Sequence, residues 1–377
     1  DFVAGNMMGL ETVAIATDGN GGLGDNTTLR NLDEGTDAII SGRNQTLNDF
    51  ANNNANQNFN AITLDQIQDE VGVDTATVVL ENTARTNGQL TVNNLSVTNP
   101  EAGVSALEIQ SNGRAQTTNQ VTSFNAAALS TLTLEGTQDL TIGVNALADA
   151  DGPGGTAGAA ATIDGSGLTG DLVLATTGAV LNNAGADKVT GTAGSNDTLQ
   201  LSGVLTPGAV ISGFETIQFG APFNSGAAAE GVFNAATASG VEEYVINLLS
   251  DDLEMRNTAG DEEITVNTDG SSVEGESLTF IAAAEDNSNE LNLNFRDLDA
   301  GGEASNDFGA GTAEILVGNY RTINLDLDDD DVAGVNAYNF DLNLLDDDGD
   351  DDTSGAAYDI DEVFARELNI TGGGNDG

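Results

Sequence analysis

Val104-Ser-Ala-Leu-Glu-Ile109 and Leu129-Ser-Thr-Leu-Thr-Leu134 are one phrase written twice: a large apolar residue, two mostly polar ones, then apolar-x-apolar. The apolar-x-apolar half has the period of a strand with one buried face. The phrase returns as Leu10-Glu-Thr-Val-Ala-Ile15, Phe214-Glu-Thr-Ile-Gln-Phe219, Val241-Glu-Glu-Tyr-Val-Ile246, Tyr320-Arg-Thr-Ile-Asn-Leu325 and, loosely, Ala365-Arg-Glu-Leu-Asn-Ile370. Copies 104 and 129 start 25 residues apart, copies 214 and 241 start 27 apart, and copies 320 and 365 start 45 apart. Such gaps suit one coil of a repeat array, in which each unit buries its apolar face only by stacking on the next.

The rest of the chain reads the same way. Short alternating runs close on Gly, Asn or Asp at Gln89–Val97, Leu129–Gly136, Asp139–Gly143, Asp171–Ala175, Asp197–Gly203, Glu262–Thr268, Glu290–Phe295 and Thr312–Gly318. Thr, Val and Ile favour the pleated sheet, and Gly, Asn and Asp supply turns with positive φ. The expected fold class is all-β: parallel β-solenoid or β-roll-like coils with β-sandwich portions. Helical spacing is confined to Asp65–Val71 and Asp359–Arg366.

Composition divides the chain softly into three. Residues 1–62 form an N-terminal β segment whose Asn-rich end, 40–62, reads as a linker; 63–220 bear the repeats; 221–377 form an acidic calcium-binding β domain. Ala150–Ala161, rich in Gly and Ala, reads as a loop or hinge.

Charge limits the function classes. The 377 residues carry 61 acidic and 9 basic side chains, net −52. That field repels nucleic-acid phosphates and anionic lipid headgroups, so neither is an expected partner. No apolar run is long enough to span a bilayer as a helix. Without Cys or His, the soft metal ligands are missing and no Ser-His-Asp or Cys-His arrangement can be assembled. Neither a P-loop nor a dinucleotide fingerprint occurs. Too few Arg and Lys are present to hold a uronate against a base, which argues against a β-helix enzyme on polysaccharide. The chain reads as non-enzymatic, and as a processed product or a segment of something longer.

Self-repulsion of this size requires an offset, either high salt or bound divalent cations. Two acidic runs abut strands: Asp326-Leu-Asp-Asp-Asp-Asp331, with Asp328, Asp330 and Asp331, and Asp346-Asp-Asp-Gly-Asp-Asp-Asp352, with Asp348, Asp350 and Asp352. Neither has the register of an EF-hand, and a solvated acidic loop is the alternative reading of each. Oxygen-only ligands select Ca2+, the expected cofactor. Three further segments approximate a Gly-Asp calcium turn: Gly21–Leu29 with Asp25, Gly191–Leu199 with Asn196 and Asp197, and Gly372–Asp376 ending on Asp376. In each the Gly residues permit the turn and the carboxylate faces an ion; a plain Gly/Asn turn is the alternative.

The order Leu129–Thr137, Ala161–Leu172, Gly194–Gly203 and Ile211–Phe219 resembles the lattice-forming region of RTX-type S-layer proteins and related giant RTX surface proteins of Gram-negative bacteria. The resemblance implies secretion to the cell surface by a type I system and calcium-driven assembly with copies of itself, as a surface layer or extracellular filament. Any contact with cell-surface polysaccharide would fall to a segment not present here. The chain departs from the family in having few intact nonapeptides. A repeat segment of an RTX adhesin, binding a surface, glycan or ice through a Thr-bearing face, is the alternative. A halophile's generic acidity is a competing account of the charge.

Overall fold

In the computed structural model, the described residues are 2–3, 10–16, 26–41, 57–69, 75–83, 88–147, 160–181, 187–194, 196–203, 209–220, 231–247, 252–259, 262–268, 277–283, 288–297, 313–328, 340–344 and 367–372. Their strands fall into three sheets, and every described ladder is parallel. One 3-10 turn, Ala235–Thr237, is the sole helical element among them. This is an all-parallel β-solenoid. The chain divides into two compact units: residues 1–199 with 209–214, and residues 200–208 with 215–377.

Within unit 1, successive strands go alternately to two sheets, so one coil contributes one strand to each. The repeated phrase explains the stacking. Thr131–Gly136 lies beside Ala106–Gly113 with Leu132 over Leu107 and Leu134 over Ile109, the offset at which the phrase repeats. The inner column runs on through Ile163, Val189 and Ile211, all buried. Like residues stack on like because a parallel pairing keeps side-chain parity, so each buried position covers the next. Full burial of a side chain of this size is worth about 1.5–3 kcal/mol. The large residues that open four of the phrases, Val104, Leu129, Phe214 and Tyr320, are buried. Directly after Val104, the Ser105 carbonyl accepts the N–H groups of Ser130 and Thr131 from the next coil.

Unit 2 repeats the scheme. Ile217 and Phe219 pair with Tyr244 and Ile246, and Ile323 and Leu325 pair with Leu368 and Ile370, again at the phrase's own offsets. Its other sheet has the order Gly231–Asn234, Leu253–Thr258, Ser277–Ala282, Ala313–Gly318, Phe340–Leu344. Phe219, Phe233 and Tyr244 meet at ring-centroid distances of 5.1 to 6.2 Å in the interior.

Asparagine abundance has a local cause. Asn31, Gln66 and Asn99 all have φ between 50° and 58°. They occupy one corner of three successive coils, each directly following the stacked residues Arg30, Asp65 and Thr98. Asn tolerates that left-handed region better than most residues.

Two expectations need correction. Asp65–Val71 is not helical over its described part: Asp65 ends the strand Gln57–Asp65, Gln66 turns the corner, and Gln68 bridges to Asp33. Its helix-like spacing reflects a corner that buries Ile67. The second helix candidate, Asp359–Arg366, lies outside the described residues. The Asn-rich stretch 40–62 is not wholly linker either. Residues 40–41 end the strand Asp37–Ser41, and 57–62 lie in Gln57–Asp65 with Phe59 and Ile62 buried. Its asparagines are compatible with a strand because Asn60 is exposed and donates across the coil to Asn26.

Candidate functional site

The carboxylates divide into those that hold coils together and those that face solvent. Several Asp residues stand at or just before the start of a strand and reach the backbone of the neighbouring coil. Asp187 Oδ1 accepts the Ala161 N–H at 2.8 Å, Asp252 Oδ1 accepts Ser277 N–H at 2.7 Å, and Asp139 Oδ1 accepts Asp171 N–H at 3.1 Å. Asp197 is fully buried, and its two oxygens accept Leu172 N–H at 2.8 Å and Thr192 N–H at 2.6 Å. A charged acceptor on an otherwise orphaned amide is a strong hydrogen bond. These groups clamp successive coils where the sheet ladder begins.

Asp65 is a clamp built from side chains. It accepts from Asn99 and Thr98, each at 3.0 Å, and pairs with Arg30. The Asn99 amide, the Thr98 hydroxyl and the Arg30 guanidinium hold its carboxyl below the usual carboxylate range, against the upward push of burial. In unit 2, burial raises the pKa of the Tyr244 and Tyr320 hydroxyls, and the nearby Glu262 charge adds to it. Tyr320 shares a hydrogen bond with the buried Thr258 hydroxyl.

Of the residues read from the sequence as calcium ligands, the structure places four. Asp326 is exposed on the outer face of Thr322–Asp328 and accepts from Thr371 Oγ1 at 2.9 Å. Asp328 ends that strand in register with Arg296. Asn196 is exposed beside the buried Asp197. An ion at Asp197 would compete with two amide donors already bound there. Asp25, Asp330, Asp331, Asp346, Asp348, Asp350, Asp352 and Asp376 lie outside the described residues. Among the described residues, no three Asp or Glu side chains gather into a metal-sized group.

The outer face of the long sheet in unit 2 carries a polar ladder. One register column holds Thr216, Glu243, Glu263, Asn292, Asn324 and Asn369. Asn369 donates to Asn324 at 2.9 Å, and Asn324 donates to Asn292 at 2.8 Å. The adjacent Glu243 and Glu263 repel each other, which is offset by hydrogen bonds from Thr265 to Glu243 at 2.9 Å and from Asn294 to Glu263 at 2.6 Å.

No protein-family model, curated protein or solved structure matches this chain. The geometry alone therefore carries the assignment: a repetitive all-β structural fold.

Sequence reading missed the clamping role of Asp65, Asp139, Asp187 and Asp252. The signal was present, an Asp set at or directly before an apolar-alternating run, as in Asp139-Leu140 and Asp252-Leu253. Without the coil register, however, no amide could be assigned to it.

Proposed function

We propose that the chain is a non-catalytic structural module of a secreted, calcium-dependent bacterial surface layer or extracellular filament that assembles from copies of itself. The observation that carries this reading is the in-register stacking of the repeated phrase. Such a fold grows by adding like coil to like coil, and its strength lies in repetition rather than in a cleft. The acidity supports the calcium part. With the coil-start Asp residues occupied by backbone amides, most of the net charge of −52 remains to be offset. Asp326, Asp328 and the carboxylates that follow them would hold Ca2+, whose double charge would relieve repulsion at the strand end.

A chelator experiment tests the reading. Purified chain in calcium at low monovalent salt should form large particles by light scattering and electron imaging, and EDTA should disperse them to monomers. Particles that survive chelation would remove the calcium dependence. Recovery of assembly by high monovalent salt alone would favour generic halophilic acidity. A second reading, an adhesin segment, draws on the outward polar column of unit 2 that holds Thr216, Asn292, Asn324 and Asn369. It predicts chains that stay monomeric in calcium and bind a solid or glycan surface.

A further inference from the structure

The two outer faces of unit 1 differ in charge, although the same coils build both. On the sheet that holds Thr131–Gly136, one outward register column runs Thr77, Glu108, Thr133, Asp164. Glu81 and Glu135 stand outward beside it, and Lys188 follows on the next strand. The long sheet of the same unit sets Gln57–Asp65, Gln89–Thr98, Thr118–Ala126, Asp139–Leu147 and Leu172–Thr177 side by side. Its outward columns read Asn58, Thr91, Gln120, Thr141, Val173 in one case and Thr63, Ser96, Asn125 in another. Between the ends of those five strands, no described outward residue is charged. The carboxylates at the margins, Asp65 and Asp139, serve the clamps between coils.

Charged residues make up 19 % of the chain, so five strands that avoid them on one face reflect a choice of residue. Stacking does not impose that choice, since the long sheet of unit 2 sets Glu243 directly on Glu263. The neutral face is also held in rows. Asn125 donates to Asn94 at 3.3 Å and to Ser123 at 2.8 Å, and Asn145 donates to Ser123 at 2.8 Å. The Thr63 and Ser96 hydroxyls meet at 3.1 Å. Asn94, Thr122 and Asn145 are exposed. Amides and hydroxyls repeated at the coil spacing of about 4.8 Å offer donors and acceptors together. Side chains tied in advance lose less freedom when a partner arrives.

We infer that this neutral face of unit 1 binds an uncharged polysaccharide. Charge selects the class of partner. A cationic partner is drawn to the acidic sheet of the same coils, and an anionic one, a second copy of this chain included, meets a net charge of −52. A neutral chain of hydroxyl groups meets neither effect, and its O–H groups match a face that both donates and accepts. Within each column the residue changes from coil to coil. That suits a flexible polyol, whereas an ice plane would need one group at every repeat. The inference requires neither calcium nor assembly, and it gives the adhesin reading a partner class and a surface in unit 1.

The test runs the whole chain by native electrophoresis in gels containing hydroxyethylcellulose, dextran or galactomannan. Carboxymethylcellulose serves as the anionic match to the first, and light scattering follows assembly in the same samples. At least one neutral polymer should slow the wild-type chain, more so as the polymer lengthens, and carboxymethylcellulose should not. Asn94→Ala/Asn145→Ala, with folding confirmed by circular dichroism, should weaken retention about ten-fold. The milder Thr122→Ala should weaken it about three-fold, and Glu108→Ala/Glu135→Ala on the acidic sheet should leave it unchanged. If no neutral polymer slows the chain, the inference fails and the assembly reading stands. Retention by carboxymethylcellulose as strong as by its neutral match overturns the selection by charge. Retention that survives the Asn94/Asn145 and Thr122 changes, or is lost with Glu108/Glu135, puts the contact elsewhere and overturns it too. So does a face that acts only on freezing or on particle formation, since its occupant would then be ice or a second copy.

Discussion

Beneath the stacked phrase of unit 1 lie Leu107, Leu132 and Ile163, and its corners are closed by buried amides; beneath that of unit 2 lie Phe219, Phe233 and Tyr244. In unit 1, Asn82 donates to the carbonyls of Gly88 at 2.9 Å and Thr118 at 2.8 Å, and Asn119 donates to Ser111 Oγ at 2.9 Å and Asn112 O at 3.0 Å. Among the described residues, the buried Asn119 Oδ1 has no hydrogen-bond partner. Unit 2 adds a cluster of three rings to its aliphatic interior, and Tyr320 and Thr258 share one buried hydrogen bond. Among the described residues its amide corner is a single one, where Asn289 donates to the Asn319 carbonyl at 3.1 Å and Asn319 to the Ala282 carbonyl at 3.2 Å. It also carries most of the charge, since 34 of the 61 acidic residues fall in 251–377. The contrast shows that the phrase fixes only how coils stack. What fills the space between the two sheets is chosen coil by coil, and it sets how each unit fails.

The sharpest break in the comparison is Phe219→Ala. Removing the ring shared by Phe233 and Tyr244 should cost about 3–5 kcal/mol. Because repeat arrays couple mainly to nearest neighbours, hydrogen exchange should show the loss within 216–247 while 106–147 keep their protection. Equal loss in both regions would refute the local picture. The counterpart in unit 1 is Gly136→Ala. Gly136 has φ +116°, and a Cβ there would meet the Ser111 carbonyl oxygen at 2.2 Å. Backbone strain plus that clash should cost about 3 kcal/mol, read as a lowered denaturant midpoint, with the loss of protection centred on 106–147.

Finer changes separate amide corners from aromatic filling. Asn82→Ala takes a donor from the Thr118 carbonyl and leaves the Gly88 carbonyl with the longer Thr118 N–H bond at 3.3 Å, and should cost about 1–3 kcal/mol, whereas Tyr320→Phe keeps the ring and should cost about 1 kcal/mol. Comparable chemical-denaturation losses for the two would show that the corners matter less than argued. An outward ladder change, Asn324→Ala, should stay within about 0.5 kcal/mol.

The pH arms distinguish the units as well. Asp65 in unit 1 has a lowered carboxyl pKa, so its contribution is full above the unfolded value of about 3.9 and is lost as pH falls through the folded value. Tyr244 and Tyr320 in unit 2 are raised, so theirs is full below about 10 and is lost as pH rises beyond it. Amide exchange should therefore loosen residues near 57–98 first in acid and residues near 243–325 first in alkali. Asp65→Asn should flatten the acid arm only.

Much of the fold was legible because parallel stacking preserves side-chain parity. The offsets 25, 27 and 45 between phrase copies are the coil lengths by which those strands pair. The expected strands at Gln89, Asp139 and Glu290 begin on those residues. The Asn-rich segment misled at its ends, because Asn60 serves a strand by facing outward. Helical spacing misled at Asp65–Val71, because a corner also buries a residue every few positions. Of the site, the sequence flagged Asp197 and Asp326 by type, and their tasks differ by environment: the first is buried on two amides, the second exposed beside Thr371.

By itself, then, the sequence determined the repeat, the all-β class, the surplus negative charge and the lack of thiol or imidazole chemistry, since each is a property of residue type and spacing. Only the tertiary structure decided which coil lies on which, which carboxylates are used by backbone amides, and which apolar columns are buried. Those are contacts between residues distant along the chain. Spacing announces that such partners exist, and the fold alone names them.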